Sequence, residues 1–182
     1  MDLMLLRTFQ RQVLKQCEFL LFAAEDVNVS LNNHNTTRVF YALQNLLNAA
    51  ANISKALWGQ AGRLSAQRQA LRDSIGISDA SPLRNVTMRN NFEHFDERLD
   101  KWWNESQQHN NVDFNIGGKY AFGHHEPIDY FRNFDPVTTE LYFWSQEFNV
   151  KELITEVQRI LPTLRAAADK PHWEAASESQ AE

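Results

Sequence analysis

The sequence predicts a mainly all-α protein, a bundle of four long helices and one short helix with a β-hairpin inserted before the last helix. Three observations support this fold class. Apolar residues recur at spacings of three and four along four separate segments, which is the period of a helix that buries one face. Gly and Pro stand at the boundaries of those segments. Residues 105–148 depart from this pattern, because glycines break the chain there and two aromatic runs flank a turn.

The first two helices are predicted from their apolar repeats. The first spans about residues 2–24, and a polar stretch ends it. Thr36 or Thr37 is the expected cap of the second helix, because a side-chain oxygen at that place can accept a free backbone N–H. The second helix covers residues 38–58, has the strongest apolar face of the chain, and ends at Gly59.

The next segment is predicted to hold the short helix and the third long helix. The short helix covers residues 65–75 and stops at Gly76. Ser81 is the expected cap of the third long helix, because it precedes a proline suited to the first helical turn. This helix is predicted to run from about residue 82 to residue 104.

The inserted hairpin is predicted from two aromatic runs, IDYFRNF and TELYFW, which flank a turn that starts at Asp135 and Pro136. The insertion covers about residues 112–146, and its strands should pack on the helices, since two strands alone are marginally stable in water. Asn149 then caps the last helix, and Pro162 should kink that helix or end its regular part.

Length and composition fit one globular domain. The chain has 182 residues, including twelve Phe and five Trp, which is enough apolar material to bury a core. We expect a single helical domain at residues 1–166, followed by a flexible C-terminal tail at residues 167–182. The lone cysteine, Cys17, excludes an intramolecular disulfide.

Charge and hydropathy limit the partners and the compartment. The formal net charge of −5 argues against a protein that coats nucleic acid, so any contact with RNA should be local, and no DNA partner is predicted. No apolar run approaches the roughly 20 residues that span a membrane, and the N-terminus lacks a signal-peptide layout. We therefore expect a cytoplasmic protein with no membrane partner.

One segment of the predicted third helix, RNNFEHFDERLDKWW at residues 89–103, carries both aromatic and polar groups. At about 100° per residue, one stripe of this helix would face the core. The members of that stripe are Met88, Phe92, Phe95, Leu99, Trp102 and Trp103. Asn90 and His94 lie four residues apart on another face, and Arg89 lies on the flank between the two faces. His94 is therefore predicted to lie outside the core.

The polar face that holds Asn90 and His94 has two interpretations. A charged helix face most often serves solubility alone. Leu83 and Val86, however, point the same general way, and a face that mixes apolar with polar residues is typical of a contact surface such as a subunit interface. On this second interpretation, these four residues lose solvent exposure when two copies of the chain associate.

The hexapeptide RNNFEH has the form Arg, polar residue, three residues, His, and it lies in the third long helix of a predicted bundle. This arrangement resembles the signature of the HEPN superfamily (higher eukaryotes and prokaryotes nucleotide-binding domain). The preceding helix, ALQNLLNAAANISKALW, strengthens the resemblance. The resemblance covers the helical parts of the chain, roughly residues 1–104 and 149–166, and the hairpin is an addition to the minimal bundle.

The resemblance implies a metal-independent endoribonuclease that acts as a homodimer, its two motifs meeting across the interface. Carried over to this chain, the catalytic residues are Arg89, Asn90 and His94, with no metal and no cofactor. Their chemistry fits cleavage by the RNA 2′-hydroxyl: a His can accept or donate a proton near neutral pH. Arg presents a forked set of donors to phosphate oxygens, and Asn90 would orient the His or the phosphate.

The resemblance leaves two functional classes open. One is a ribonuclease with a toxin or phage-defence role. The other is a catalytically inactive binding or scaffold module that recognises a nucleotide, RNA or a partner antitoxin, including one of the nucleotidyltransferase-like kind. The intact motif favours catalysis, whereas the acidic net charge favours the binding module.

Two other groups of titratable residues suggest sites but have simpler interpretations. One loop holds several metal-ligand types: His124, His125, Glu126 and Asp129. Adjacent histidines in a glycine-flanked loop rarely point together, so a polar loop is favoured over a metal site. The four carboxylates between positions 93 and 100 scatter around the predicted helix, which favours a solvated face.

Overall fold

The computed structural model describes residues 1–119, 121, 123–171 and 173, and this part of the chain is mainly helical with one small sheet. The helices are α1 (Leu3–Asn32), α2 (Thr36–Trp58), α3 (Gln69–Ser74), α4 (Thr87–Glu93), α5 (Phe95–Glu105) and α6 (Val150–Ala168). The strands are β1 (Asn115–Ile116), β2 (Asn133–Asp135), β3 (Glu140–Phe143) and β4 (Gln146–Asn149). α3 covers only part of the short helix predicted at residues 65–75. None of the described helices combines the length and hydropathy needed to cross a membrane.

α1 and α2 form the main helical pair of the fold. Only residues 33–35 separate them, so α2 runs back along α1. α2 buries the apolar face that its sequence predicts, and the fully buried members include Val39, Leu43, Leu46, Ile53 and Leu57. Gly59 ends α2 as predicted, with a φ of 76° that glycine adopts without strain. A Cβ at this position would lie 2.7 Å from the Cβ of Leu64, so the turn after α2 has no space for a side chain.

The boundary between α1 and α2 differs from the prediction. α1 continues to Asn32, through the polar stretch that the sequence predicts as a loop. It continues because Val27 and Ser30 are buried and extend its packing face by two turns. The cap of α2 is Asn35 and not a threonine, since the Asn35 side-chain oxygen accepts the N–H of Arg38 at 3.0 Å.

The prediction of a continuous third helix is wrong. A 3₁₀ turn at Pro82–Arg84, then α4, then α5 take its place, and the helical path breaks at His94, whose φ and ψ are −98° and 41°. Asn91 spans the break with its side chain. Its Nδ2 donates to Gln146 on β4 at 2.6 Å, and its Oδ1 accepts the Nε–H of Arg98 on α5 at 3.1 Å. The break therefore depends on contacts with the sheet, which a local apolar period does not reveal.

The break also divides the predicted aromatic stripe. Met88 and Phe92, on α4, are buried in the core. On α5, which begins a new helical path after His94, Leu99 and Trp102 are partly buried and pack against the core. The predicted burial of Phe95 and Trp103 is wrong, because both side chains are exposed.

The predicted hairpin is confirmed, and it is part of a larger sheet. β2 and β3 pair antiparallel, with Asn133 opposite Tyr142 and Asp135 opposite Glu140. Asp135 starts the turn as predicted, because its Oδ1 accepts the N–H of Val137 at 2.9 Å. β4 pairs antiparallel with β3, and β1 pairs parallel with β2, which gives the strand order β1-β2-β3-β4.

The sheet packs on the helices, as expected for so small a sheet. Phe131, Leu141 and Phe143 are buried in the same hydrophobic cluster as residues of α1, α2 and α6. Sheet and helices thus bury apolar surface together, which is the condition for a short-stranded sheet to be stable.

The last helix agrees with the prediction at its start and differs at its end. Asn149 caps α6, its side-chain oxygen accepting the N–H of Glu152 at 3.3 Å. Pro162 does not end the helix, which continues to Ala168 and so includes the first two residues of the predicted tail, 167–182. Residues 172 and 174–182 of that tail lie outside the described residues.

Candidate functional site

A cleft of about 690 Å³ lies where the end of α2, the turn after it, and α4 and α5 meet. Four cationic side chains and one carboxylate line it: Lys55, Arg84, Arg89, Arg98 and Glu97. Two further carboxylates contact these cations from outside the lining, Glu93 at Arg89 and Asp79 at Arg84. Four positive charges are therefore set against three negative charges, which leaves a local charge of +1 on a chain whose net charge is −5.

The three residues that the sequence singles out, Arg89, Asn90 and His94, all line this cleft. Arg89 lies on α4, and its side chain is 17% exposed. Its Nη1 donates to Asn90 Oδ1 at 3.2 Å and forms an ion pair with Glu93. Its Nε is buried and has no hydrogen-bond partner among the described residues. Arg89 is thus held in place by its neighbours and keeps an unused donor.

His94 occupies the junction between α4 and α5. Its backbone N–H donates to the Asn90 carbonyl at 2.9 Å, and its carbonyl accepts the N–H of Arg98 at 3.2 Å. The side chain is 49% exposed, and Nδ1 lies 3.6 Å from Oε1 of Glu97. That separation is too long for a hydrogen bond, so Glu97 lies near the ring without bonding to it. The imidazole is therefore accessible from the cleft, as expected for a group that exchanges protons with a substrate.

An ionised carboxylate supports one wall of the cleft. The indole N–H of Trp58 donates to Asp79 Oδ1 at 2.7 Å, and this hydrogen bond lowers the pKa of Asp79. The charges of Arg72 and Arg84 lower the pKa of Asp79 further. Arg84 Nη1 lies 3.8 Å from Asp79 Oδ1, so Asp79 orients a cation of the cleft although it does not line the cleft itself.

The predicted subunit-contact face needs one correction. Leu83 is fully buried within the single chain, where it packs in the hydrophobic core, and it has no exposure left to lose on association. The helix period misplaced it because Leu83 belongs to a 3₁₀ turn and not to a continuous helix. Val86 and Asn90 are partly exposed and His94 is exposed, so these three residues alone form the accessible part of that face.

Three cations of the cleft, Lys55, Arg84 and Arg98, do not stand out in the sequence. Arg98 is four residues after His94, and its spacing from the motif is the one signal that could have indicated it. Lys55 is in the last turn of α2, and the packing of α2 on α4 brings it to the motif. Arg84 arrives in a 3₁₀ turn that the predicted helix does not contain.

Two residues of the alternative metal site, Asp129 and Glu126, accept hydrogen bonds from other residues of the chain. Asp129 is fully buried, and its Oδ1 accepts the indole N–H of Trp102 at 2.9 Å and the hydroxyl of Ser106 at 2.6 Å. Glu126 accepts the backbone N–H of Gln107 at 3.1 Å. Within the described residues, no three or more His, Cys, Asp or Glu side chains are grouped so that they could hold a metal ion.

Comparison of the chain with protein-family models, with curated proteins and with solved structures gives no match. The fold and the cleft define a mainly helical protein with a cationic site.

Proposed function

We propose that the protein is a metal-independent endoribonuclease of the HEPN type, in which Arg89, Asn90 and His94 cleave RNA at a site shared by two subunits of a homodimer. The observation that supports this proposal best is the convergence of these three residues with three further cations on one cleft. A phosphodiester next to a 2′-hydroxyl matches both the charge of the cleft and a histidine that can transfer a proton.

RNA brings its own nucleophile to this reaction. The 2′-hydroxyl attacks the adjacent phosphorus and gives up its proton, the bond from phosphorus to the 5′-oxygen breaks, and that oxygen takes up a proton. The products are a 2′,3′-cyclic phosphate and a 5′-hydroxyl. A neutral imidazole can accept the first proton and an imidazolium can deliver the second, which are the two roles proposed for His94 in the two subunits.

Arg89 is the proposed ligand of the phosphate. Its guanidinium presents a forked set of donors that matches two phosphate oxygens, and these donors gain strength as negative charge builds up on the phosphorane. Asn90 fixes the orientation of that guanidinium through the hydrogen bond to Nη1. Lys55, Arg84 and Arg98 add positive charge around the same cleft.

A homodimer would complete the site, because each chain contributes one His to its cleft. Association of two copies through Val86, Asn90 and His94 would bring a second imidazole to the phosphodiester, so that the acid and the base come from different subunits. If sedimentation shows a monomer at micromolar concentration, with no association on concentrating, this shared site is excluded.

The proposed biological setting follows from the same motif: a toxin or phage-defence role in the cytoplasm, with RNA as the substrate and an antitoxin or a nucleotidyltransferase-like protein as a further partner. One observation favours a second candidate, a catalytically inactive module that binds RNA, a nucleotide or an antitoxin. The ion pair between Arg89 and Glu93 already offsets the charge of the motif Arg before any substrate binds.

A ribonuclease assay in EDTA separates the two candidates. His94→Ala should reduce the cleavage rate by about 10²–10⁴, since it removes a proton-transfer group. Arg89→Ala should reduce it by about 10²–10³, since it removes a donor that stabilises the phosphorane. Arg89→Lys should restore only part of the rate, because an ammonium keeps the charge and loses the forked geometry.

Arg165→Ala is the matched control, because Arg165 is an exposed cation on α6 that does not line the cleft. It should cleave at the wild-type rate. Full activity of His94→Ala would exclude His94 as the proton-transfer group, and no cleavage by the wild type would leave the binding module as the better account of the cleft.

A further inference from the structure

Three depressions join along the surface between α2 and α4. The cationic cleft is the first. The second, of about 260 Å³, lies between α2, α4 and the sheet insertion, which is the segment of residues 106–149 that contains β1–β4. The third, of about 350 Å³, lies at the start of α2. Arg89 lines both the first and the second, and Gln44 lines both the second and the third. Because neighbouring depressions share a lining residue, they adjoin one another from the proposed catalytic cleft to the start of α2, and the three together are called the groove.

Aromatic side chains line the far part of this groove. Tyr41 is 58% exposed and Phe114 is 45% exposed, and both line the third depression. Phe95 is also exposed and lines the second depression. Large apolar side chains in a groove, rather than scattered singly over the surface, are typical of a binding site.

The ring of Phe114 is held in place by its neighbours. Its backbone φ is 55°, a left-handed conformation that bulky residues rarely adopt. Asp113 Oδ1 stabilises this conformation by accepting the N–H of Phe114 at 2.9 Å and the Nε–H of Arg132 at 2.9 Å. The guanidinium carbon of Arg132 lies 3.9 Å from the centre of the Phe114 ring, and Phe40 packs edge-on at 5.3 Å. The exposed ring is thus oriented before a ligand arrives.

Polar groups between the aromatic rings complete the groove. Gln44 and Asn48 are exposed on α2 and line its middle part. Their amides both donate and accept hydrogen bonds, as the edges of unpaired bases require. The groove therefore has most of its cations at one end, amides with the Glu93 carboxylate and Arg132 in the middle, and aromatic faces towards the other end.

We propose that this groove binds single-stranded RNA that extends from the scissile phosphate at Arg89, with bases stacked on Phe95, Phe114 and Tyr41. The proposal rests on the proposed ribonuclease function and adds the substrate class. The positive cleft complements the phosphate backbone, and flat rings stack on bases of any identity. Duplex RNA is excluded by the same geometry, because paired bases are stacked on one another and cannot reach the rings. The sheet insertion would take part in RNA binding, since it contributes Phe114 and Arg132 to the groove.

The test measures binding separately from cleavage. A fluorescein-labelled, 2′-O-methylated RNA oligomer lacks the attacking hydroxyl, so its anisotropy reports affinity alone, and the same oligomer annealed to its complement is the duplex probe. The single strand should bind at least tenfold more tightly than the duplex. Tyr41→Ala and Phe114→Gly should each weaken binding by about 5- to 150-fold, the effect of losing one stacked base. Glycine suits the positive φ at position 114, so that variant keeps the backbone.

Phe22→Ala is the matched control, because Phe22 is an aromatic residue on α1 that is 62% exposed and does not line the groove. It should bind the single strand as wild type does. Equal affinity for the duplex, or unchanged affinity of both Tyr41→Ala and Phe114→Gly, would overturn the proposal. If the protein does not cleave RNA and yet shows the predicted binding, the ribonuclease function fails and the single-strand groove stands.

Discussion

α4 and α5 are consecutive helices, separated only by His94, and the protein holds them in different ways. α4 buries three of its seven residues, Met88, Asn91 and Phe92, and packs on α2. α5, all of whose residues the structure describes, buries none of them. Leu99 and Trp102 pack partly buried against the core, and hydrogen bonds from Trp102 to Asp129 and from Arg98 to Asn91 also attach the helix.

This difference shows how the cleft is built. Arg89, the proposed phosphate ligand, lies on the well-packed helix, whereas Arg98 and Glu97 lie on the weakly packed one. Segments with few buried contacts open at lower free energy than the core around them. His94, at the junction, thus joins the helix that carries Arg89 to a helix with fewer buried residues.

The largest difference should appear when one aromatic residue is removed from each helix. Phe92→Ala should lower the free energy of unfolding by about 3–5 kcal/mol, because it leaves a cavity in the core. Phe95→Ala should change that free energy by less than about 0.5 kcal/mol, since its ring is exposed. Urea unfolding of both variants measures the contrast, and equal losses would show that α5 is packed as firmly as α4.

A second contrast concerns the two adjacent tryptophans of α5. Trp102→Phe should lower the free energy of unfolding by about 1–3 kcal/mol, because it removes a hydrogen bond to the fully buried carboxylate of Asp129. Trp103→Phe is the control and should have little effect, as that side chain is exposed. Hydrogen exchange should show faster exchange in α5 for Trp102→Phe alone. Similar exchange in both variants would mean that Asp129 does not anchor α5.

The smallest effect concerns the stability in acid that depends on Glu156 of α6, which accepts a hydrogen bond from Ser81 in the segment before α4. Hydrogen bonds from Arg159 and from the Ser81 hydroxyl lower the pKa of Glu156. The stability from ionised Glu156 is therefore present above the unfolded pKa of about 4.3 and is lost as pH falls through the lower folded value. Between about pH 5 and about pH 3, the free energy of unfolding should fall less for Glu156→Gln than for the wild type. The difference between the two should be under about 1 kcal/mol.

Thermal unfolding across that pH range measures this effect. Ser81→Ala should reproduce part of it, because it removes one of the two residues that donate hydrogen bonds to Glu156. An unchanged acid profile for both variants would show that the contact between Ser81 and Glu156 does not stabilise the segment.

The helices and the hairpin were predictable from the sequence where local patterns determine them. The apolar repeats of α2 and α6 and the turn at Asp135 depend on neighbouring residues, and they agree with the structure. The break at His94 was not predictable, because the contact from Asn91 to Gln146 joins residues that lie far apart in the chain. The same holds for the extra turns of α1, which exist because Val27 is buried by the rest of the fold.

The candidate site was predictable only in part, for a similar physical reason. Arg89, Asn90 and His94 are recognisable by their spacing, and the structure places all three on one cleft. Lys55 and Arg84 reach that cleft through the packing of separate segments, which no local spacing records. The groove that ends at Phe114 likewise depends on how the sheet insertion packs beside α2.

Identification of the product ends tests the proposed chemistry most directly. Single-stranded RNA is incubated with the protein in EDTA, and the fragments are analysed by mass spectrometry, with His94→Ala in parallel. Attack by the 2′-hydroxyl predicts fragments that end in a 2′,3′-cyclic phosphate, or in the 3′-phosphate derived from it, and begin with a 5′-hydroxyl. His94→Ala should form these fragments about 10²–10⁴ times more slowly. Fragments with 3′-hydroxyl and 5′-phosphate ends, cleavage that requires a divalent ion, or no cleavage at all would contradict a metal-independent ribonuclease site at Arg89, Asn90 and His94.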